Sequence, residues 1–546
     1  MGPTDLEKQH HEQIEDVHDP ANLQDDTVVN RGFASAYFLG SFFAVGFNLA
    51  ASTAGFALIA PVLGNISVAL GPSESIIWLS LVYTLGLAVG LTLVGRLSDI
   101  FGRRWFFIGG TILGLVGAII ASTANMIPVL IRGQILIGLS ASTGYSYAFI
   151  IGELVPVKWR FIANAIIFLF SLPTAGFGAA ISTSLILHTG PGRYPCYYLL
   201  IILNGVTAVF YAIFYFPPTF HQKHGRDTFI LGLSSCGSLY LWKSAYTIAF
   251  IVTSVDPKEP LIPMHLFRNK GYVAARLSLS LGASVYYSQT ITRPQMTANV
   301  YGNGREKWVG LPTLGIGITV GEIVGGGIAK NVGKWKWQCI AVITLGTILL
   351  GLTAICSHDT PKAAMAIVFI ATTFVGRNEF LVLPICTIAI RDQQEIGTAA
   401  GMAGSSQSAI STVASTIYSV VLTARMGKTI PAQVPKAVIA AGLLASSVAD
   451  YMTAITAGGS EKALQAVKGL TPQILIIGTK ACRHAYMDAY RTIFLVSIAF
   501  GSLAILVSFF IPDINNLMND SVVATLHGRK YVKMAGEKYR TKRVNT

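Results

Sequence analysis

The chain has 546 residues, of which 52% are apolar and only 12% charged, about half the charged share of a soluble globular protein. Mean hydropathy is +0.57, and there are too few charges to surface the roughly two to four domains that a soluble chain of this length would form. Six cysteines stand scattered without paired spacing, which excludes a secreted disulfide scaffold and leaves an all-α polytopic membrane protein.

Residues 1–40 hold eight acids and two bases. They predict a disordered, acidic cytosolic tail without the basic-then-apolar pattern of a secretory leader. His10, His11, Glu12 and His18 fall there, but Glu15 stands where a helical zinc motif needs its second histidine, so no metal site is expected. The remainder carries 38 bases against 18 acids, a balance of +20. In a chain this apolar, the excess reads as loop charge holding one side in the cytosol, not as a nucleic-acid surface.

Crossing the hydrocarbon core takes about 20 mostly apolar residues. Six stretches qualify early, at 41–63, 76–95, 105–124, 127–151, 161–187 and 197–216. Six more follow, at 272–291, 309–329, 337–356, 363–390, 398–424 and 491–511. Six plus six predicts two related halves around a central path. The N-terminal bundle covers 41–216, a central linker 217–271, and the C-terminal bundle 272–511 with a long outer loop at 425–490. A basic tail, 512–546, closes the chain with seven bases against three acids.

Bases also cluster at 95–104, 152–160 and 217–227. All these segments share one side when both termini are cytosolic; Arg293, Arg305 and Lys307 then fall outside as loop charges. The centre is short. Residues 217–227 and 256–270 are both basic, so an even number of crossings should part them, yet 228–255 offers 28 residues where two spans need about 40. A hairpin, re-entrant or interfacial piece is expected there. The pairs Gly86/Gly90, Gly110/Gly114, Gly317/Gly321 and Gly321/Gly325 put small residues on one helix face and predict close packing.

The most specific stretch joins the second and third spans: Gly95, Arg96, Leu97, Ser98, Asp99, Ile100, Phe101, Gly102, Arg103 and Arg104. An aspartate within reach of arginines and a helix end forms a latch that opens when two halves rock. The stretch resembles the loop signature of the major facilitator superfamily, G-x-L-[SA]-D-x-x-G-R-[RK]. The resemblance implies an ionic cluster in which Glu153 joins Arg103 or Arg104 and Arg160 joins Asp99. Other signatures are degraded. Gly176-Phe177-Gly178-Ala179 lacks the proline of the fifth-span motif, and Gln134 stands where the fourth span usually has arginine. Gly152–Lys158, His188–Gly192, Lys258–Pro263, Asp392–Gly397 and Tyr490–Thr492 narrow the resemblance to the fungal trichothecene efflux pump and siderophore transporter branch. That branch has two extra helices in the centre, where this chain is short.

Intramembrane charges are functional candidates by default. Glu322 lies in span 309–329 and Glu379 in span 363–390. Burial penalises the charged form of a carboxylate, so such a group can load a proton on one side and release it on the other while competing with substrate. Arg377 departs from the branch, which usually has an aromatic there; at i,i+2 it and Glu379 point apart on a helix. Asn48, Tyr83, Gln134, Tyr145, Arg377 and Gln407 are the expected path-lining residues.

The sequence thus predicts a monomeric secondary transporter in the plasma membrane, with a vacuolar or vesicular membrane as the alternative, and without cofactor. It would exchange protons for a hydrophobic toxin, drug or metabolite. A siderophore–iron importer driven by proton symport is the alternative, and flux direction separates the two. A membrane receptor without turnover, or the defective product of a truncated gene, are alternatives of another class. No nucleophile–base or metal constellation points to an enzyme, and no phosphate-binding loop points to a primary pump.

Overall fold

Lipid offers no partner to a bare N–H or C=O, so each crossing must satisfy its own backbone as a helix. The computed structural model describes residues 35–71, 73–101, 103–155, 159–189, 194–216, 264–301, 305–357, 359–390, 396–456 and 466–514, and places no strand among them. Their first six long helices are α1 (Ala36–Ala57), α2 (Trp78–Phe101), α3 (Arg103–Ser122), α4 (Ile127–Tyr145), α5 (Arg160–His188) and α6 (Tyr194–Phe214). The second six are α7 (Lys270–Tyr301), α8 (Arg305–Val332), α9 (Trp335–Leu352), α10 (Pro361–Ile388), α11 (Ile396–Ala440) and α12 (Pro472–Ser508). The expected piece at 228–255 lies outside the described residues.

Most helices sit where hydropathy places them, and the differences have local causes. α1 begins at Ala36, inside the expected tail, because Ser35 caps it by accepting a hydrogen bond from the Phe38 N–H at 3.1 Å. The segment expected as an outer loop, 425–490, is largely helical. α11 runs on to Ala440 in spite of Pro431 and Pro435, a short helix follows at Val448–Thr456, and α12 starts at Pro472. Ile430, Val434 and Val438 recur at helical spacing and bury against Ile474, Cys482 and Ala485. At about 1.5 Å per residue, the 45 residues of α11 far exceed a bilayer core of about 30 Å. The interleaved Arg425, Lys428, Lys436, Lys480 and Arg483 hid this helical hairpin from a hydropathy reading.

Eleven of these helices are long and apolar enough to cross a membrane. Their outward faces carry exposed apolar residues at helical spacing, such as Ile112, Val116 and Ile119 on α3 and Val413, Ile417 and Val420 on α11. α7 is the exception. It carries Ser278, Ser280, Ser284, Ser288, Gln289 and Arg293, all buried. A polar helix is tolerated because its neighbours α8, α10, α11 and α12 shield it from lipid. Arg293 is therefore not a loop charge: α7 continues ten residues past the expected end at 291, to Tyr301, and Arg293 is 4% exposed.

Within each half, the expected glycines bring backbones together. On α2, Gly86 faces the Ile135 carbonyl of α4; on α3, Gly110 and Gly114 face Thr143 and Ser140 of α4. α8 packs still closer on α10, where a Cβ at Gly321 would collide with the Thr373 carbonyl oxygen. Neither backbone can retreat without breaking helix hydrogen bonds, so overpacking there should cost about 1–3 kcal/mol. Gly327 on the same helix has open space around its would-be Cβ. We expect Gly321→Ala to lower the thermal unfolding midpoint of the detergent-solubilised protein clearly and Gly327→Ala to leave it within error, as read by tryptophan fluorescence. Equal midpoints for the two variants would refute this packing.

Candidate transport cavity

A cavity enclosing about 690 Å³ of atom-free space lies where α1, α2 and α5 of the first half meet α7, α8, α10 and α11 of the second. The part open to a water-sized sphere has room for only about three waters. Its walls therefore have to part before a bulky ligand enters.

Glu322 of α8 and Glu379 of α10 both line this cavity. Glu322 is 6% exposed and has no hydrogen-bond partner among the described residues. Glu379 accepts a hydrogen bond from the Gln407 amide of α11 at 2.5 Å. The two acids lie close enough for their charges to interact. Arg377 turns away from Glu379, as i,i+2 spacing requires; its Nη2 donates to Gln338 Oε1 on α9 at 2.9 Å. Among the described residues no cation pairs with either acid.

Aromatic side chains form much of the remaining wall. Tyr145, at the end of α4, and Tyr287 of α7 approach with their hydroxyls 3.5 Å apart. Tyr286 packs beside Tyr287, with ring centroids 5.2 Å apart, and Tyr147 and Phe168 complete the wall. Proline at 173 interrupts α5, and Leu172–Gly176 form a π-type turn against the cavity. That turn exposes the Ala175 and Gly176 carbonyls to the close approach of Gly315 on α8. Pro173 sits only three residues before the Gly176-Phe177-Gly178-Ala179 stretch whose own proline is missing.

The expected path residues divide in two. Tyr145 and Gln407 line the cavity. Asn48 instead donates to Thr143 Oγ1 and the Tyr211 hydroxyl behind it, Gln134 donates to the Gly55 carbonyl at 2.8 Å, and Tyr83 donates to the Ser52 carbonyl at 2.6 Å. These three tie α1 to α2, α4 and α6, and Arg377 ties α10 to α9. Sequence reasoning missed Tyr147, Tyr286 and Tyr287; the run Tyr286-Tyr287 in an otherwise small and polar helix was the available signal.

The expected latch lies partly outside the described residues. Gly102 and the side chains at Gly95, Asp99 and Glu153 lie outside the described residues. Arg104 donates to the Ala212 carbonyl at 2.7 Å and lies 3.9 Å from the centroid of Phe216. Arg160 is 1% exposed and donates from Nε to the Val155 carbonyl at 3.3 Å; Arg103 is half-buried at the start of α3. Among the described residues, aromatic side chains cross between the halves at this end. Phe161 of α5 stacks on Trp335 of α9 at 4.4 Å, and Phe161 and Phe168 flank Phe380 of α10 at 6.1 Å.

A family model described as fungal trichothecene efflux pump matches residues 4–231 and 227–537. The chain belongs to this family. The trichothecene efflux pump of Fusarium sporotrichioides is 25% identical over 540 residues, which covers 91% of this chain and 90% of that protein. Multidrug resistance protein 3 of Bacillus subtilis is 24% identical over 375 residues, covering 63% and 71%. The human organic anion transporter TETRAN superposes with a TM-score of 0.50 at 12% identity, over 86% of this chain and 100% of that one, a likeness of fold alone. As a member of the efflux-pump family with a major facilitator fold, the chain is a secondary transporter, and the cavity sits between its two six-helix halves.

In this efflux-pump family member the second seam between halves is α2 against α11. Thr92 and Ser405 share a hydrogen bond at 2.7 Å, and Thr412 donates to Thr84 at 2.8 Å. Hydrogen-bonded hydroxyls hold two side chains close together, which makes this pair the one to test by cross-linking. The double variant Thr92→Cys/Ser405→Cys should form a cross-link under mild oxidant, detected as one joined tryptic peptide by mass spectrometry. Two unjoined peptides would show that the seam is not closed at these positions.

Proposed function

We propose that the chain exchanges protons for a bulky, largely apolar toxin, drug or metabolite, moving it out of the cytosol across the plasma membrane with both termini inside. One observation carries this reading: two carboxyl groups without a cation partner line the cavity between the halves, facing a wall of tyrosines. A charged side chain near the centre of a membrane costs about 2.5–3.5 kcal/mol on insertion scales, so two such acids need a compensating role. Taking up and giving back protons while the halves rock supplies one. Both acids stand on the second half, so their protonation does not push the halves apart; ionised they keep the cavity hydrated and open, and neutralised they lower the cost of closing the halves over a ligand. The tyrosines supply flat apolar area with a hydroxyl at the rim, which suits a ring system bearing a few oxygens.

The likeness to trichothecene efflux pumps makes a trichothecene the first substrate to test. Expressed in a transport-deficient yeast strain, the protein should lower retention of a labelled trichothecene, and a protonophore should restore it. Glu379→Gln keeps the hydrogen bond from Gln407 and the side-chain volume, so the variant should reach the membrane yet lose at least tenfold in efflux rate; Glu322→Gln should behave alike. Undiminished proton-dependent efflux in the double variant would sink the assigned role. Proton-dependent uptake of a labelled ferric siderophore instead would reverse the direction.

A further inference from the structure

A second cavity, of about 340 Å³, adjoins the first on the side away from the 95–104 junction. It lies between the end of α1, the π-type turn of α5, and α7 and α8. The two cavities share Ala175 and Tyr286. From Tyr286 the wall continues along one face of α7 through Thr290 to Arg293. These positions stand at i, i+4 and i+7, so Arg293 lies two helical turns, about 10 Å, beyond the tyrosine.

Arg293 is buried, and no acid pairs with it among the described residues. Its Nη1 faces the Met296 thioether at 3.0 Å, a weak acceptor, and its Nη2 faces the Ala364 carbonyl at 3.5 Å, the limit of a hydrogen bond. Nε has no partner at all. The guanidinium carbon stands 5.8 Å from the Phe494 ring centroid, and its other polar neighbours, Tyr301 and Cys356, are uncharged groups. A buried cation left this way is costly unless an anion joins it for part of the working cycle. The rest of the wall, including Pro61, Leu311 and Leu314, is apolar. A guanidinium whose Nε–H lacks an acceptor can take a carboxylate oxygen, and apolar walls match an apolar body attached to it.

We infer that the Arg293 cavity is a binding subsite for the carboxylate of a lipophilic monocarboxylic acid, whose apolar body extends back along Tyr286 into the central cavity. The inference rests on the transporter reading for its biological sense, but its test does not. That ion pair orients the ligand with its charged end away from the two glutamates, which would repel it. A neutral ligand of the same shape forgoes that pairing.

The test compares pyrenebutyrate with its uncharged amide, the same apolar body with and without the charge, by equilibrium binding to the detergent-purified full chain. Wild type should bind the acid at least tenfold tighter than the amide. Arg293→Met, similar in volume, should abolish that ratio while binding the amide as wild type does; Arg293→Lys should keep part of it. The amide affinity reports that the variant has folded. Equal affinities in wild type, absence of saturable binding, or a ratio unchanged in Arg293→Met would overturn the subsite. Proton-driven movement of both probes in proteoliposomes is scored separately. Its absence would count against the transporter reading and leave the binding ratio to decide the subsite.

Discussion

Lipid cannot solvate charge, and that constraint arranges the rest of this molecule. With so few charged residues, the chain can cover its helices with Ile, Val and Leu only if its polar side chains turn toward one another. α7 shows the result most plainly: rich in serine, threonine and glutamine, it is enclosed by its neighbours. Glu322 and Glu379 have the same need, and their helices meet the first half at the central cavity. The location of the cavity is thus a consequence of burial. Wherever two bundles face one another, the least apolar surfaces of both end up at the seam.

The contacts inside each half differ in kind from those between halves. Inside, backbone meets backbone. Gly117 of α3 and Gly133 of α4 stand against one another's carbonyls, and α8 lies on α10 at Gly317, Gly321 and Gly376. Such contacts leave no slack and move as units. Between halves, side chains meet side chains: Thr92 with Ser405, Thr84 with Thr412, Phe161 with Trp335. Hydroxyl pairs exchange readily for water, and aromatic faces can slide. The exception is Gly315 against the π-type turn of α5, where backbone touches backbone across the seam. A bend already lacking regular helix bonds is the place where two rigid bodies can pivot without breaking either.

Much of this was legible in the sequence. Eleven spans, the glycine faces and the two intramembrane acids follow from composition, period and the cost of burying charge. Gln407 and Tyr145 were found because a polar or amphipathic residue inside an apolar helix stands out. Asn48, Tyr83 and Gln134 stand out by the same rule, yet they bridge helices within the first half. Periodicity tells which residues turn inward; it does not tell whether inward means a packed helix face or an open cavity. The helical hairpin of α11 and α12 and the burial of Arg293 escaped for a related reason. Hydropathy registers contact with lipid, and neither a helix in water nor an arginine behind other helices makes such contact.

Charge along the path is therefore better read by depth than by count. Glu322 and Glu379 occupy the centre, where helices from both halves shield them, and Arg293 sits two turns farther along α7, beyond the tyrosines. In water these separations would be screened within about 8–10 Å; between packed helices the screening is weaker and the two signs act on the same ligand at once. A negative charge moving along Tyr286 would be repelled at one end and attracted at the other, and that gradient points away from the 95–104 junction. Orienting a ligand on such a path needs no moving part, although carrying it across does. Orientation needs only that charges of opposite sign be buried at different depths on one continuous wall, and α7, polar along its whole length and hidden from lipid, is the helix able to carry that wall.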